Sequence, residues 1–518
     1  MSKFNLFDYQ RDMVNDIVGV LSHPMSCNVV HNKDKNIESY GSSVMVQMPT
    51  GTGKTVVMAA VVKWFLEDKR HVNDSEVWIV AHRRELVEQI EKTLAKFEAD
   101  VPKASLFAKR FARIKVYSIQ WLNRHLDEMT ATPGLIIVDE AHHALAPIYQ
   151  NVMLKYKFAM RIGMTATPCR LKAQSFTGIF EKLLTSMSVK EFIKAGYLSL
   201  YDYVVIGRNS QEQYIIDNLK KRATDGDYNI AEMNEKLNIK PSIMRLYDSV
   251  MKYAKGKKGI VYAIDIAHAK AIADYYAEMG LNVVALDSKT SAQKRADAVE
   301  KFRKGDIDCM VNVNLFDEGF DCPDVEYIQI ARPTLSLSKY LQMVGRGLRV
   351  HKNKKLCVII DNVGVYRSFG LPDKQHNWRR MFNGLDAGKA TVVKRYRHGL
   401  VRETSMGDDM EYVMRSDKKP MCKKERDAFL ANVIPYEQNK RWGLRSGDTI
   451  IIGPIYRHIY DFIGKYAICE LAPNMYGLIA RSGHLLTQKW YKSVEITDNG
   501  KYAILTESPI RTERWVLK

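Results

Sequence analysis

The hydrophobic residues in the first part of this chain form short continuous runs separated by segments with helical spacing. Residues 44–46, 77–80 and 135–138 are such apolar runs, and Ile-Lys-Val-Tyr at 114–117 is a further strand pattern. A strand buried on both faces appears in sequence as a continuous apolar run, and strands that alternate with helices indicate a parallel sheet. The pattern therefore predicts an α/β domain whose parallel sheet is covered by helices on both faces.

A second series of strand runs follows later in the chain. Residues 259–262, 283–286, 309–312 and 327–330 again alternate with helical segments, so we expect a second parallel-sheet domain. Between the two series, residues 201–240 contain one short strand pattern followed by polar helical sequence. This stretch is predicted to be a connector.

The end of the chain changes period and contains an internal repeat. The string Gly-Lys-Tyr-Ala-Ile at 464–468 recurs at 500–504, and Arg-Ser-Gly at 445–447 recurs at 481–483, both with an offset of 36 residues. Alternating apolar and polar residues between glycines predict short β-hairpins. The unit resembles WG-type β-repeats, modules that more often recognise a partner or a substrate than perform chemistry.

The length and these changes of pattern predict the division into domains. A chain of 518 residues is too long for one core and predicts about three domains. We expect two α/β domains at 1–200 and 241–370, the connector at 201–240, a basic linker at 371–440 and a β-repeat domain at 441–518. Basic residues in the linker alternate with Trp378, Phe382 and Tyr396, a composition that suits either nucleic acid or a solvated linker.

The charge of the chain indicates which partners to expect. The net charge is +19, which favours a polyanion, nucleic acid first and an anionic membrane second; a basic surface without such a partner is the alternative. No apolar run approaches membrane-spanning length, and the beginning lacks a signal-peptide core. The seven cysteines contain no C-x-x-C pair, so we expect reduced thiols and a cytoplasmic protein without membrane contact.

Residues 48–55, Met-Pro-Thr-Gly-Thr-Gly-Lys-Thr, form a glycine-rich turn between a strand run and a helical pattern. Such a turn brings the backbone N–H groups of a helix N-terminus close to a phosphate. Lys54 is expected to reach the β- and γ-phosphates, and the Thr55 hydroxyl to bind Mg²⁺. The usual first glycine is Met48 here, yet the context still predicts a nucleoside triphosphate site.

Two further groups of charged residues suit phosphoryl transfer. Asp139 and Glu140 directly follow the strand run 135–138, so Asp139 is placed to share the Mg²⁺ with Thr55 and Glu140 to orient or deprotonate water. A surface turn is the alternative for two adjacent carboxylates. Arg346 and Arg349, three apart on a predicted helix, share a face and suit an arginine finger. Two solvated arginines are the alternative there.

In their order along the chain, these motifs resemble those of superfamily 2 helicases and translocases, in the branch that carries a DEAH box. The matching strings are Tyr-Gln at 9–10, MPTGTGKT at 48–55, AHRREL at 81–86, DEAH at 139–142, TATP at 165–168, DEGFDCP at 317–323 and QMVGRGLR at 342–349. The strings VAHRREL and TATPCRL are most similar to RadD-type DNA repair helicases and to motor subunits of restriction systems.

The resemblance implies two tandem RecA-like domains that bind ATP and Mg²⁺ between them. It implies that Gln10 reads adenine, that His142 couples the nucleotide site to Thr165 and Thr167, and that Gln342 faces the cleft. Other expected nucleotide-binding residues are Thr50, Gly51, Thr52, Gly53, Gly319 and Asp321. Expected nucleic-acid contacts are Arg83, Gln120, Thr165 and Asn314.

Together the motifs predict an ATP-dependent helicase or translocase, with DNA favoured by the sub-branch resemblance. An RNA helicase is the alternative among enzymes, because the motor motifs do not separate the two polymers. An ATP-gated DNA-binding subunit of a repair or defence complex is the alternative from another class. In that case residues 441–518 would bind a protein partner.

Overall fold

The structure is a computed structural model of the 518-residue chain. It describes residues 6–22, 30–31, 37–38, 42–68, 75–82, 84–100, 103, 105–207, 210–287, 290–313, 322–390, 410–414, 416, 428, 430–438, 440–447, 449–481, 485–487, 490–497, 501–508 and 511–517. Two compact units are present: one spans Met1–Thr185 and Tyr197–Lys419, and the other spans Ser186–Gly196 and Pro420–Lys518.

The first unit begins with an α/β domain built on a six-stranded parallel sheet of order β5-β4-β6-β7-β3-β8. Two 3₁₀ helices, Phe111–Arg113 and Ala141–His143, also belong to this domain. The other elements are, in chain order, α1 (Asp8–Ser22), β1 (Val30–His31), β2 (Ile37–Glu38), β3 (Ser43–Gln47), α2 (Lys54–Glu67), β4 (Glu76–Ala81), α3 (Arg84–Ala99), α4 (Leu106–Arg110), β5 (Ile114–Ser118), α5 (Ile119–Arg124), β6 (Pro133–Asp139), α6 (Pro147–Lys155), β7 (Met160–Thr165) and β8 (Lys182–Thr185).

Alternate residues of the central strands pack into separate cores on the two faces of this sheet. On β4, Val77 and Ile79 belong to one hydrophobic cluster, while Trp78 and Val80 belong to the other. Since successive side chains of a strand point to opposite faces, both faces must be covered to bury all four. The apolar runs therefore predicted this sheet correctly.

The second α/β domain is built on a seven-stranded sheet of order β11-β12-β10-β13-β14-β9-β15. Helix α7 (Val189–Lys194) precedes it in the chain and lies within the second compact unit. The elements of the second domain are β9 (Leu200–Ile206), α8 (Gln211–Asp217), α9 (Ile230–Leu237), α10 (Lys240–Tyr253), β10 (Gly259–Tyr262), α11 (Ile266–Glu278), β11 (Val283–Leu286), α12 (Ala292–Lys304), β12 (Cys309–Asn312), β13 (Tyr327–Ile330), α13 (Leu337–Gly347), β14 (Leu356–Asp361), α14 (Tyr366–Phe369), α15 (Trp378–Phe382) and β15 (Met410–Met414).

The predicted connector and linker contribute strands to this second sheet. Strand β9 pairs in parallel with β14, and β15 adds to β9 as an antiparallel edge strand. The prediction that the domain begins at 241 and ends at 370 was therefore wrong at both ends. The sequence misplaced these boundaries because β9 pairs with a strand about 150 residues away, and local patterning does not show which strand is its neighbour.

The linker aromatic Phe382 is a core residue. Its side chain is 3% exposed, its ring stacks on Phe176 of the first domain, and its carbonyl accepts a hydrogen bond from the Phe176 N–H. Trp378 packs partly buried against the same core. Packing against the first domain covers the Phe382 ring, so this ring is not available to nucleic acid, whereas Trp378 keeps part of its surface. Tyr396 and most of the basic residues of the linker lie outside the described residues.

The second compact unit contains three antiparallel sheets of three strands each. The first begins before the predicted boundary at 441, because β16 pairs with β17. The strands are β16 (Val433–Gln438), β17 (Arg441–Ser446), β18 (Thr449–Tyr456), β19 (His458–Ile459), β20 (Tyr466–Ala472), β21 (Met475–Ala480), β22 (Ser493–Thr497), β23 (Tyr502–Ser508) and β24 (Arg511–Val516).

The internal repeat of the sequence reappears in the last two of these sheets. Strands β20 and β21 are followed, at the offset of 36 residues, by β23 and β24. Each sheet is a meander of sequential strands. The repeat therefore marks repeated supersecondary units with three strands each, one more than a hairpin has.

Among the described helices, none has the length and apolar character needed to cross a lipid bilayer.

Candidate active site

The glycine-rich turn between β3 and α2 has the backbone geometry of a phosphate cradle. Gly51 and Gly53 have φ angles of 87° and 81°, which favour glycine. Gly53 is the N-cap of α2 and no side chain caps that helix, so its first N–H groups remain open to a ligand. The buried Thr52 hydroxyl donates to the Pro49 carbonyl (2.8 Å) and holds the turn.

Lys54 begins helix α2 among charged groups from several elements. Burial lowers the pKa of its ammonium group, and the carboxylates of Glu140 and Asp139 oppose that change. The guanidinium groups of Arg346 and Arg349 lower the pKa further. The four charged residues predicted as catalytic in separate parts of the sequence therefore all act electrostatically on Lys54.

Asp139 and Glu140 lie at the carboxyl end of β6, near the ends of β7 and β3. The register pairs Asp139 with Met164 on β7, and Thr165 on β7 with Gln47 on β3. In parallel sheets, ligands bind at this edge. Asp139 is the last residue of β6, and Thr55 lies in the first turn of α2, the helix that follows β3. Only β7 separates β6 from β3, so the two predicted Mg²⁺ ligands are at the same edge of the sheet.

Glu140 has an unusual backbone conformation and an ionised side chain. Its φ angle is 46°, in the left-handed region that side chains other than glycine rarely adopt. Burial by itself raises its pKa, but hydrogen bonding by His142 and the charges of Lys54, His142 and His143 outweigh burial and lower the pKa to about 2. The side chain is therefore ionised at neutral pH.

A chain of polar contacts runs from Glu140 to helix α13. His142 Nδ1 lies 3.3 Å from Glu140 Oε2 and 3.2 Å from Thr165 Oγ1. Thr165 Oγ1 in turn accepts from the Thr167 N–H (3.1 Å), and Thr167 Oγ1 lies 2.7 Å from Ser338 Oγ on α13. His142, Thr165 and Thr167 are therefore in contact with one another, and their coupling of the nucleotide site to the second domain stays a prediction. Sequence reasoning missed Ser338, whose only signal was its position four residues before Gln342.

Residues 342–349, which contain Arg346 and Arg349 and are called the arginine segment below, lie directly against the phosphate cradle. A Cβ atom added to Gly345 on α13 would be 2.6 Å from Thr50 Cβ, and one added to Gly51 would be 3.1 Å from Arg349 Cγ. Helix α13 ends at Gly347, so Arg346 lies in its last turn and Arg349 lies beyond it, in a bridge to Leu198. The prediction that the two arginines share a helix face was therefore wrong. The Leu348 carbonyl accepts a hydrogen bond from the Ser199 N–H (2.7 Å), so the chain leaves the helix before Arg349.

Two glutamines complete the site. Gln342 on α13 is 5% exposed, and its amide nitrogen has no hydrogen-bond partner among the described residues, so it is available to a ligand. That it faces the nucleotide cleft stays a prediction. Gln10 on α1 accepts from the Phe7 N–H (3.1 Å) and places its amide nitrogen 3.4 Å from the Thr52 carbonyl. Gln10 therefore contacts the cradle itself. The open N–H groups of α2 and the buried Gln342 amide fit a triphosphate.

The expected nucleic-acid contacts have mixed outcomes. Gln120 is exposed in the first turn of α5. Thr165 is fully buried and bonded to His142, so its predicted contact with nucleic acid was wrong, because no surface of its side chain is accessible. The predicted residues Arg83, Asn314, Gly319 and Asp321 lie outside the described residues.

The two α/β domains, the phosphate cradle and the arginine segment define a helicase-type ATPase fold. The family Type III restriction enzyme, res subunit, matches residues 3–170, and the Helicase conserved C-terminal domain matches residues 242–351.

Two curated relatives and one solved structure are similar over most of the chain. A 51.5 kDa protein of Lactococcus phage (isolate 7-9) is 31% identical over 340 residues, which are 66% of this chain and 70% of the phage protein. The Saccharomyces cerevisiae protein IRC3, provisionally named an ATP-dependent helicase, is 27% identical over 70% of this chain and 52% of its own length. A fragment from Vibrio vulnificus, provisionally assigned as an HsdR subunit of a type I restriction enzyme, has a TM-score of 0.50 and 21% identity over 70% of this chain and 65% of that fragment.

The chain belongs to the superfamily 2 helicases, with a domain of the Type III restriction res type followed by a helicase C-terminal domain. It spans about half the length of the yeast relative.

Proposed function

We propose that this chain is a nucleic-acid-dependent ATPase that acts on DNA as a helicase or translocase of the DEAH-box branch. The observation that carries the proposal is the contact between helix α13 and the phosphate cradle, where Gly345 meets Thr50. Through it, an arginine segment from the second domain lies beside Lys54 and Glu140 from the first. Phosphoryl transfer needs such an arrangement, because its catalysis consists mainly of positioning and charge stabilisation.

Each residue has one role in this proposal. Lys54 binds the β- and γ-phosphates, and Arg346 and Arg349 stabilise the charge that develops on the transferred group. Thr55 and Asp139 would hold Mg²⁺, which supplies further charge neutralisation when bound.

The sequence left two roles open for Glu140, which are to orient the attacking water or to deprotonate it. A general base works best when its pKa is near the operating pH. The pKa of Glu140 is lowered to about 2, which makes it a weak base. Its position therefore supports the orienting of water through a hydrogen bond more than full proton removal.

DNA is the proposed polymer because the matched family is named for a restriction enzyme. The net charge of +19 supports a polyanionic substrate without distinguishing DNA from RNA. A partner-dependent, ATP-gated DNA-binding subunit is the second candidate. It is favoured by the repeated three-stranded sheets of the second compact unit, which are separate from the unit that contains the ATP site.

The test is steady-state ATP hydrolysis at fixed salt with single-stranded DNA, blunt duplex DNA, a branched DNA fork or single-stranded RNA. Salt is fixed because phosphate-driven affinity falls steeply with ionic strength. We expect DNA, and duplex or fork most strongly, to stimulate hydrolysis. Stimulation by RNA alone would contradict the DNA assignment, and no stimulation by any polymer would favour the partner-dependent subunit.

The variant Lys54→Ala tests the site itself, and Lys63→Ala is its matched control. Lys63 lies on the same helix, is partly exposed and only forms a 4.0 Å pair with Glu67. We expect Lys54→Ala to remove hydrolysis while the protein stays folded, and Lys63→Ala to behave as wild type. Retained turnover in Lys54→Ala would contradict the site assignment.

A further inference from the structure

The predicted connector contains a small hairpin that reaches the beginning of helix α13. Arg222 and Tyr228 form an antiparallel bridge, and the Arg222 guanidinium lies 4.7 Å from the centre of the Tyr228 ring. At the tip, the Ala223 N–H donates to the Asp227 carbonyl (2.9 Å), and Gly226 has a φ of 91°. This geometry presents Asp227 on a closed and locally bonded turn.

The Asp227 carboxylate is buried, at 2% exposure, and binds three donors at the beginning of α13. It accepts from the Leu335 N–H (2.7 Å), from the Thr334 hydroxyl (2.8 Å) and from the Lys339 ammonium (2.9 Å). Burial acts to raise its pKa, but the Lys339 charge and these hydrogen bonds outweigh burial and lower the pKa. A buried carboxylate with a cation and several donors is a specific, directional contact.

The same helix carries the groups that meet the nucleotide site. Ser338, one residue before Lys339, bonds Thr167 of the first domain, and Gly345 packs on Thr50. Helix α13 has 11 residues, a length of about 16 Å at 1.5 Å per residue. Because a closely packed interior transmits strain, a shift at the beginning of α13 is expected to change the position of Arg346 in its last turn.

We propose that Asp227 is a positioning residue for ATP hydrolysis: it sets the place of α13 and thereby of Arg346 over the phosphate cradle. The inference rests on the proposed ATPase function and adds a residue from outside the recognised motifs. Asp227 does not touch the nucleotide site itself. Its effect is expected on the turnover of bound ATP, because Lys54 and the cradle glycines, which bind the phosphates, belong to the first domain.

The variant Asp227→Asn tests this role, and Asp225→Asn is its matched control. Asparagine keeps the size of Asp227 and one carbonyl oxygen, but it loses the charge that binds Lys339. Asp225 also pairs with Lys339, at 3.4 Å, but its side chain is 52% exposed, and such exposed pairs contribute little. The measurements are kcat and KM for ATP with the stimulating DNA, the Kd of a fluorescent ADP analogue, and thermal unfolding.

We expect Asp227→Asn to lower kcat at least about tenfold while KM and the Kd of the ADP analogue change less than about threefold. Asp225→Asn should stay within about twofold of wild type. If Asp227→Asn does not fold, Thr334→Val removes the hydroxyl that donates to Asp227 and accepts from the Ser336 N–H (3.1 Å), and we expect it to lower kcat about threefold. The double variant Asp227→Asn/Lys339→Met should have a kcat no lower than that of Asp227→Asn, because both changes break the same pair.

A folded Asp227→Asn variant with wild-type kcat would overturn the inference and leave the proposed ATPase intact. A parallel loss of ADP-analogue affinity and melting temperature, without a separate fall in kcat, would also overturn it, since that is the result of a purely structural role. Absence of hydrolysis by the wild-type protein under every nucleic-acid condition would overturn the proposed function and this inference together.

Discussion

The hydroxyl oxygens of Thr167 and Ser338 lie 2.7 Å apart and form a direct hydrogen bond between the two α/β domains. Thr167 follows strand β7 of the first domain, and Ser338 is the second residue of α13 in the second. Both side chains are buried. The bond therefore ends the polar chain that begins at Glu140 and passes through His142 and Thr165.

Replacing Ser338 by alanine should lower the rate of ATP hydrolysis. A buried hydrogen bond contributes about 1 kcal/mol, which corresponds to roughly a fivefold change in rate if it is made when the domains close for reaction. We expect kcat to fall about fivefold with little change in the melting temperature. Thr177→Ala, at an exposed position of the first domain, is the control, and equal rates for the two variants would contradict the coupling.

Replacing Gly345 by alanine should separate α13 from the phosphate cradle. The added Cβ would lie 2.6 Å from Thr50 Cβ, closer than real contacts allow, and overpacking of this kind costs about 1–3 kcal/mol. We expect kcat/KM for ATP to fall at least about tenfold. Gly178→Ala is the matched control, because nothing lies within 4 Å of a Cβ there. Wild-type activity of Gly345→Ala would show that this contact is not needed for hydrolysis.

The low pKa of Glu140 makes a prediction about pH. A carboxylate whose pKa falls from 4.5 to about 2 on folding stabilises the folded state above pH 4.5, and that contribution is lost as the pH falls towards 2. Glu140 therefore stays ionised throughout the range of an ordinary ATPase assay. We expect the rate of hydrolysis between pH 5 and 9 to show no titration step that Glu140→Asp shifts. An acid limb that moves in that variant would contradict the assignment.

The part of the second compact unit that spans Pro420–Lys518 can be tested by ending the chain after Lys419, which keeps Ser186–Gly196 in place. An earlier end, after Gly370, would remove strand β15, which pairs with β9 at the edge of the second sheet. The cut after Lys419 leaves that sheet whole, so we expect DNA-stimulated hydrolysis within about threefold of the full chain. Strand displacement by the shortened protein would assign residues 420–518 to recruitment; hydrolysis without displacement would assign them to the grip on DNA. Loss of hydrolysis itself would contradict the assignment of a complete ATP site to residues 1–419.

Local sequence determined several elements to the residue. The strand runs at 259–262, 283–286, 309–312 and 327–330 coincide with β10, β11, β12 and β13. Strands β10, β12 and β13 lie inside their sheet and are buried, whereas β11 is an edge strand and is largely half-buried. All four are rich in apolar residues, and this composition makes them recognisable in the sequence. The glycine-rich turn at 48–53 was equally recognisable, because its positive φ angles require glycine at 51 and 53.

By itself, then, the sequence determined the two α/β domains, the phosphate cradle and the identity of the charged residues around it, since continuous burial and glycine geometry leave local signals. Only the tertiary structure decided that β9 and β15 complete the second sheet, that Phe382 is a core residue and that Thr165 is sealed from solvent. It alone joined Ser338 to Thr167 and Asp227 to Lys339. These contacts join residues more than 100 positions apart, and short polar side chains carry no local mark of the partner that folding brings to them.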